Sequence, residues 1–318
     1  TQGETKEIAQ KLPEISNPKL WSPANPYLYQ LVTTISENGK KIDELKTPYG
    51  IRWVSWPINR AGKDNRFYIN DEPLFVNGTC EYEHMIGNSH SFSDEQIHSR
   101  IEQIKAGGFN AFREAHQPHN LEYQKELDEN GILFWSQFSA HIWYDTPEFK
   151  ENFKTLLREW IKERRNSPSV VMWGLQNEST IPKEFAEECT KIIREMDPLS
   201  ESQRLVTTCN GGEGTDWNVV QNWSGTYGGD PFNYDVEMNT QLLNGEYGAW
   251  RTADLHTEGE FDQKGIHSEN RFSQLMEIKV REAESVKDKI AGQFNWLFSS
   301  HENPGRTQNG EGFRDIDK

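Results

Sequence analysis

The segment VVMWGLQNE, from Val170 to Glu178, constrains the fold of this chain more than any other stretch. It begins as an apolar run that is too short for an ordinary helix, and the turn-forming residues Asn166-Ser167-Pro168 precede it. We therefore predict a buried strand of a parallel sheet. An amide and a carboxylate follow the run, and in a barrel of alternating strands and helices such groups lie at the rim where active sites form. Glu178 is accordingly a candidate catalytic residue.

Strand-like and helix-like segments alternate along the chain from Arg66 onward. Eight strands followed by helices, over about 250 residues, are what a (β/α)8 barrel requires. The predicted fold class is therefore α/β, a TIM barrel, although the last helix is not evident before Lys318. Apolar runs predict strands at 74–76, 110–113, 132–135, from 170, and at 204–209, 219–222, 241–244 and 293–298. Apolar periodicity predicts helices at 94–106, capped by Ser93, and at 121–129, 149–165 (apolar face Phe153, Leu156, Leu157, Trp160, Ile161), 183–196 and 272–289.

The first fifty or so residues have a different character. The run from Tyr27 to Ile35 is rich in β-branched and aromatic residues, and Asn38-Gly39 separates it from a second extended run. An Asn-Gly pair in this position predicts a β-hairpin, because both residues tolerate positive φ. Two or three strands rarely stand alone in water. We therefore predict that residues 1–58 are the C-terminal part of a β-sandwich whose upstream remainder is missing, and that residues 59–318 form the barrel.

Composition excludes several classes of function. The chain has 34 Lys and Arg against 50 Asp and Glu, a net charge of −16, which argues against nucleic acid or an anionic membrane surface as the partner. No run reaches the roughly 20 apolar residues of a membrane span. The cysteines Cys80, Cys189 and Cys209 have neither disulfide nor metal spacing, so we predict buried thiols. The sequence assigns no compartment: periplasm, secretion and cytoplasm all stay open, as does a homo-oligomer.

A second carboxylate lies in a matching context. In the segment from Leu242 to Gly248 an apolar run again leads to a glutamate, Glu246. By strand count Glu178 follows strand four and Glu246 strand seven, so both reach one rim. Glycoside cleavage requires such a pair, one carboxyl protonated and one ionised. Arg113 and His116, after strand two, are candidates to keep Glu246 ionised.

Two other interpretations of these carboxylates stay open. With 50 acidic residues in the chain, two glutamates that follow apolar runs are unsurprising even without a catalytic role. A metal site is the other alternative, because four histidines follow predicted strands. Their spacing matches no zinc signature, so we assign no metal and no other cofactor. These histidines are His84, His116, His119 and His141.

Four segments carry a resemblance to a known family. In order along the chain, they are LWSPANPYLY (20–29) with YGIR (49–52), FNAFREAHQP (109–118), NSPSVVMWGLQNE (166–178) and NGEYGA (244–249). They resemble glycoside hydrolase family 2, which contains β-galactosidases, β-glucuronidases and β-mannosidases. The resemblance extends over nearly the whole chain, and it implies an immunoglobulin-like tail followed by a catalytic TIM barrel.

The resemblance also implies roles for individual residues. Glu178 would be the general acid/base, Glu246 the nucleophile, and Asn177 the amide that binds the sugar 2-hydroxyl. Arg113 and His116 would support the nucleophile and the glycone. Trp296, which ends strand eight, would be a platform on which a sugar stacks, and Tyr227 would take the place of a tyrosine that contacts the nucleophile.

Several positions depart from the family pattern. Ser136-Gln137 stands where the family often has Asp-Glu, and His141 and Trp143 stand near positions of magnesium ligands, so no metal is implied. Glu81-Tyr82 replaces a common Arg-His pair. No Asn-x-Lys element, which recognises the uronate in glucuronidases, is found between Phe298 and Lys318, and the family's amino-terminal sugar-binding jelly roll is absent.

These observations predict a retaining exo-β-glycosidase that acts on an oligo- or polysaccharide, with β-galactosidase as the preferred activity. β-Glucuronidase, β-mannosidase and a hydrolase of a modified galactan are the alternatives within this class. The alternative from another class is a carbohydrate-binding fragment without catalysis.

Overall fold

The computed structural model describes residues 3–60, 64–83, 92–140, 145–226, 229–248 and 269–299, with side chains from 273 onward in the last range. Eight parallel strands form the main sheet, and each strand pairs with the next around a nearly closed barrel. In chain order they are β8 (Val76–Tyr82), β9 (Ala111–Ala115), β10 (Leu133–Gln137), β11 (Val170–Asn177), β12 (Leu205–Cys209), β13 (Trp217–Val219), β14 (Leu243–Gly248) and β15 (Gly292–Trp296).

The barrel closes between β13 and β14. A parallel bridge joins Val220 to Asn244, and the backbone N–H of Gly245 donates to the carbonyl oxygen of Val220 over 2.8 Å. Since β14 carries Glu246 and β11 ends next to Glu178, closure brings both carboxylates to one rim, as predicted. The α/β TIM-barrel fold is thus confirmed.

Helices cover the outside of the sheet and bury their apolar stripes against it. Ser93 caps the first helix in a capping box with Gln96, and Gly131, at φ 71°, ends the second in the left-handed conformation. None of the described helices is long and apolar enough to cross a membrane. The helices are α1 (Asp94–Ala106), α2 (Leu121–Asn130), α3 (Pro147–Arg164), α4 (Lys183–Met196), α5 (Tyr234–Gln241) and α6 (Glu269–Ser285).

The part that precedes the barrel is built of short antiparallel sheets. The hairpin of β3 (Tyr29–Glu37) and β4 (Lys40–Tyr49) turns at Asn38-Gly39 with φ of 51° and 77°, which confirms the predicted hairpin. Two strands pair before it and three after it: β1 (Trp21–Ser22) with β2 (Asn25–Pro26), and β5 (Val54–Ser55) with β6 (Phe67–Ile69) and β7 (Glu72–Leu74). Because β5 and β6 pair across residue 58, the predicted domain division there remains a prediction.

Buried polar bonds fasten this part to the barrel. The indole N–H of Trp21 donates to the carbonyl oxygen of Asp128 over 2.8 Å, and that of Trp56 donates to the carbonyl oxygen of Val171 over 3.2 Å. Arg52 donates to the carbonyl oxygens of Pro168 and Val170. The amino end of β11 is therefore held from outside the barrel.

Several predicted boundaries were wrong. Leu74 ends an antiparallel strand, and the first barrel strand begins only at Val76. The segment 241–244 is divided, because Gln241 ends α5 and β14 begins at Leu243, while β13 ends at Val219 instead of extending over 219–222. Leu156 does not belong to the buried face of α3, since its side chain is 61% exposed. The helix predicted at 272–289 runs from Glu269 to Ser285, and α5 was not predicted because only Tyr234 and Met238 of its eight residues are buried.

Candidate active site

Glu178 and Glu246 differ sharply in environment. Glu178 follows β11 directly at φ 44°, its N–H donates to the carbonyl oxygen of Cys209 over 2.8 Å, and the residue is exposed. Glu246 lies within β14 and is 2% exposed. The two carboxyls therefore lie in unlike environments, one open to solvent and one enclosed by the barrel.

Arg113, fully buried on β9, connects the residues around Glu246. Its Nη1 donates to Glu246 Oε1 over 2.7 Å and to the carbonyl oxygen of Gly245 over 2.9 Å. Its Nη2 donates to Asn177 Oδ1 over 2.7 Å, and its Nε donates to Gln137 Oε1 over 3.1 Å. The guanidinium carbon lies 4.4 Å from the centre of the Trp135 ring. This one side chain therefore fixes a carboxylate and two amides contributed by three other strands.

His116 and Trp296 stack on each other beside this cluster. Their ring centroids are 4.6 Å apart with 6° between the planes, and the Tyr82 ring meets both rings edge-on. Trp296 is only 4% exposed, so His116 covers one face of the predicted sugar platform. The role of Trp296 as a platform stays a prediction.

The pKa of Glu246 is raised to about 7 by competing influences. Burial raises the pKa most, and the charge of Glu178 adds to the rise, whereas the charge and hydrogen bond of Arg113 and a hydrogen bond from Gln221 lower it. Arg113 thus acts in the predicted direction, but burial outweighs it. The influence of Glu178 on Glu246 means that the two carboxyls titrate as a pair.

The other predicted residues are placed as follows. Asn177 ends β11 beside Glu178 and contacts Arg113. His119 is buried against Phe112 and Tyr123 on the helix side of β9, and so does not join Arg113 and Glu246.

Within the described ranges no cluster of His, Cys, Asp and Glu suits a metal ion. Cys80, Cys189 and Cys209 are buried free thiols, as predicted. Tyr227, His84, His141 and Trp143 lie outside the described residues.

Two glutamines of the site were not predicted. Gln137 ends β10 and accepts from Arg113, while Gln221 donates from Nε2 to Asn177 Oδ1 over 3.4 Å and accepts from the Trp223 indole over 3.0 Å. Each follows or ends a barrel strand, as Glu178 does. The position of a polar residue after each predicted strand was therefore a signal that could have found both.

Comparison with known sequences agrees with this geometry. Residues 61–247 match the sequence model described as glycosyl hydrolases family 2, TIM barrel domain, and residues 1–52 match that described as glycosyl hydrolases family 2. The chain belongs to glycosyl hydrolases family 2.

The relatives carry two different names. A Formosa agariphila protein named provisionally as a β-glucuronidase is 28% identical over 313 residues, which is 91% of this chain and 37% of that protein. A β-galactosidase of Thermoanaerobacter pseudethanolicus is 28% identical over 194 residues, 60% of this chain and 25% of that protein. The apo structure of Bacteroides uniformis β-glucuronidase 3 superposes with a TM-score of 0.77 at 27% identity, and the match covers 92% of this chain and 41% of that one. The chain therefore spans about two fifths or less of the length of these relatives.

Proposed function

We propose that this family 2 domain is a retaining exo-β-glycosidase with Glu246 as nucleophile and Glu178 as general acid/base. The observation that carries the proposal is the pair of 2.7 Å bonds by which Arg113 holds Glu246 Oε1 and Asn177 Oδ1. These bonds aim the buried carboxylate and the amide next to Glu178 at one point of the rim. A sugar ring bound at that point meets a fixed nucleophile on one side and an exposed acid on the other.

The reaction proceeds in two displacements. Glu246 attacks the anomeric carbon and forms an ester bond to it, while the bond to the leaving oxygen breaks and Glu178 gives its proton to that oxygen. Glu178, now ionised, takes a proton from water, and the resulting hydroxide displaces Glu246 from the anomeric carbon. The product keeps the β configuration, and both carboxyls return to their starting states.

Arg113 and Asn177 support this cycle without exchanging protons. Arg113 stabilises the carboxylate form of Glu246 against the effect of burial. Its bond to Asn177 Oδ1 leaves the amide Nδ2 as the donor that faces the sugar side, where it would bind the 2-hydroxyl. Hydrogen bonds to that hydroxyl strengthen as the oxocarbenium-like transition state forms.

For the glycone, a terminal β-D-galactoside is our first candidate. A uronate carboxylate needs a cation to bind it, and Arg113 already uses four N–H groups on Glu246, Gly245, Asn177 and Gln137. A β-glucuronide is the second candidate, favoured by the names of the relatives that match over about nine tenths of this chain.

A panel of p-nitrophenyl β-D-glycosides tests the proposal. The panel holds the galactoside, glucuronide, mannoside, glucoside and fucoside, and it is run on the unaltered chain, Glu246→Ala and Glu178→Gln. We expect release of p-nitrophenol from one glycoside, and each substitution should lower turnover by about 10³-fold or more. The matched control is Glu213→Gln, since the Glu213 side chain is 83% exposed.

Two results would reject the proposal. Near-wild-type turnover of Glu246→Ala on the hydrolysed glycoside would remove the nucleophile assignment. If no glycoside of the panel is hydrolysed but a β-glycoside binds the chain saturably, the result would support the carbohydrate-binding fragment instead.

A further inference from the structure

The orientation of two amides beside Arg113 follows from chemistry alone. A guanidinium has N–H donors and no acceptor, so each amide atom that it contacts must be an oxygen. Gln137 therefore presents Oε1 to Arg113 Nε at 3.1 Å, and Asn177 presents Oδ1 to Nη2 at 2.7 Å. Neither amide can be turned around without losing its bond to Arg113.

These orientations in turn determine which nitrogen of His116 carries a proton. Asn177 Nδ2, which can only donate, lies 3.4 Å from His116 Nε2, and this long contact favours an Nε2 that accepts and carries no proton. His116 Nδ1 lies 3.2 Å from Gln137 Oε1, which can only accept, so Nδ1 must donate. A neutral imidazole has one donor and one acceptor nitrogen, and this arrangement satisfies both.

We infer that Gln137 is a positioning residue that holds His116 as the neutral tautomer protonated on Nδ1. The consequence of this tautomer for catalysis rests on the proposed function. It concerns Glu246, because Glu246 Oε1 lies 3.7 Å from His116 Nε2. A proton on Nε2 would give Glu246 a second charge-assisted donor beside Arg113, which would reduce its nucleophilicity. The same proton would oppose the Nδ2 donor of Asn177 and turn that amide away from its position.

Among the described side chains near His116, Gln137 is the neutral acceptor. Glu246 on β14 favours an imidazolium, and Arg113 on β9 disfavours it. Tyr82 on β8 and Trp296 on β15 contact the ring with their aromatic faces and edges. Gln137 accepts the same two bonds from Arg113 and His116 that a glutamate would accept, but it brings no charge. An anion at this position would stabilise the imidazolium from the Nδ1 side.

Nitrogen-15 NMR of the histidine rings tests the inference without any substrate. The chain has nine histidines, and the signals of His116 are those lost in His116→Asn. At about pH 8 we expect a protonated Nδ1 and an unprotonated Nε2 for His116. In Gln137→Met, which keeps the shape but loses the acceptor, the two tautomers should mix, whereas Gln137→Glu should give an imidazolium at the same pH.

Three spectra would overturn the inference. They are an Nε2-protonated tautomer in the unaltered chain, an imidazolium there at about pH 8, and an unchanged tautomer in Gln137→Met. Circular dichroism of both variants checks that they fold, and the spectrum of the unaltered chain decides the tautomer without them.

Kinetics give the second readout and separate the two proposals. On the hydrolysed glycoside, Gln137→Glu should move the acid limb of kcat/KM to higher pH by about one unit, because activity would then require the His116 imidazolium to lose its proton. Gln137→Met brings no charge and should not move the limb upward. An acid limb that moves upward equally in both variants would contradict the positioning role. If the unaltered chain hydrolyses no glycoside but has the expected tautomer, the proposed function fails and the inference about Gln137 and His116 stands.

Discussion

Arg113 and Glu246 form an ion pair inside the barrel, 2.7 Å from Nη1 to Oε1, with side chains that are 0% and 3% exposed. The pKa of Glu246 is nevertheless above its ordinary value, because burial raises this pKa more strongly than Arg113 lowers it. Glu246, the proposed nucleophile, is therefore held in place by a cation yet is able to take up a proton near neutral pH. The first three predictions follow from this balance.

The acid limb of activity should lie near neutral pH. Glu246 must be ionised to attack, and its pKa is raised to about 7, so protonation as the pH falls through 7 removes the nucleophile. We expect kcat/KM to fall about tenfold per pH unit below that point. Initial rates between about pH 4.5 and 9 measure this acid limb. An acid limb with its midpoint near pH 4.5 would contradict the buried environment of Glu246.

Glu178→Gln should affect substrates according to their leaving group. Without the acid, kcat/KM for an alkyl or sugar leaving group should fall by about 10²- to 10⁴-fold, whereas 2,4-dinitrophenolate leaves without a proton and should lose much less. Because the charge of Glu178 raises the pKa of Glu246, the acid limb for the dinitrophenyl glycoside should also move to lower pH. Equal losses for both leaving groups would argue against an acid role, and Glu213→Gln serves as the control.

Arg113→Lys should damage both stability and activity. A lysine ammonium cannot reach four acceptors in the fixed geometry of a guanidinium, so Glu246, Asn177 and Gln137 would lose partners. We expect the free energy of unfolding to fall by about 3–5 kcal/mol and kcat/KM to fall on the order of a hundredfold or more. Urea unfolding and initial rates measure these changes, with the exposed Arg158→Lys as control, and wild-type values in both would contradict the account.

Arg52→Met should lower stability alone. Arg52 is buried and donates to the carbonyl oxygens of Pro168 and Val170 and to Gln203 Oε1. Losing these bonds should cost about 2–4 kcal/mol of unfolding free energy. The site at the far end of β11 lies about 20 Å away, so kcat/KM of the folded variant should stay unchanged. Urea unfolding with Arg158→Met as control measures the cost, and lost activity in a fully folded variant would show that Arg52 acts on the site.

The sequence was informative where periodicity and polar strand ends coincide. The apolar run before Glu178 is strand β11, whereas the run before Glu246 is divided between the end of α5 and the start of β14, which itself contains Glu246. Parallel strands in a barrel bring their carboxyl ends together, so both glutamates lie at one rim. Helix α5 was not predicted, because eight residues with two buried positions give no periodic pattern in the sequence. The hairpin at Asn38-Gly39 could be predicted because its turn requires positive φ, which Asn and Gly tolerate.

The contacts within the site could not be predicted from the sequence in the same way. That Gln137 and Asn177 would meet Arg113 depends on the register between β9, β10 and β11, and register is a property of the closed barrel. The stacking of His116 on Trp296 joins β15 to the end of β9, 180 residues apart along the chain. Burial of Glu246 and its raised pKa likewise depend on what surrounds β14, which one sequence does not specify.

Trapping of the covalent glycosyl-enzyme tests the central assignment most directly. The chain is incubated with the 2,4-dinitrophenyl 2-deoxy-2-fluoro-β-glycoside of the sugar that it hydrolyses, because the fluorine slows both displacements and the good leaving group restores the first. The account predicts a mass increase of one fluorosugar, located by peptide mapping on Glu246 and absent in Glu246→Ala. An adduct on another residue, or turnover that continues with no adduct on Glu246, would contradict it.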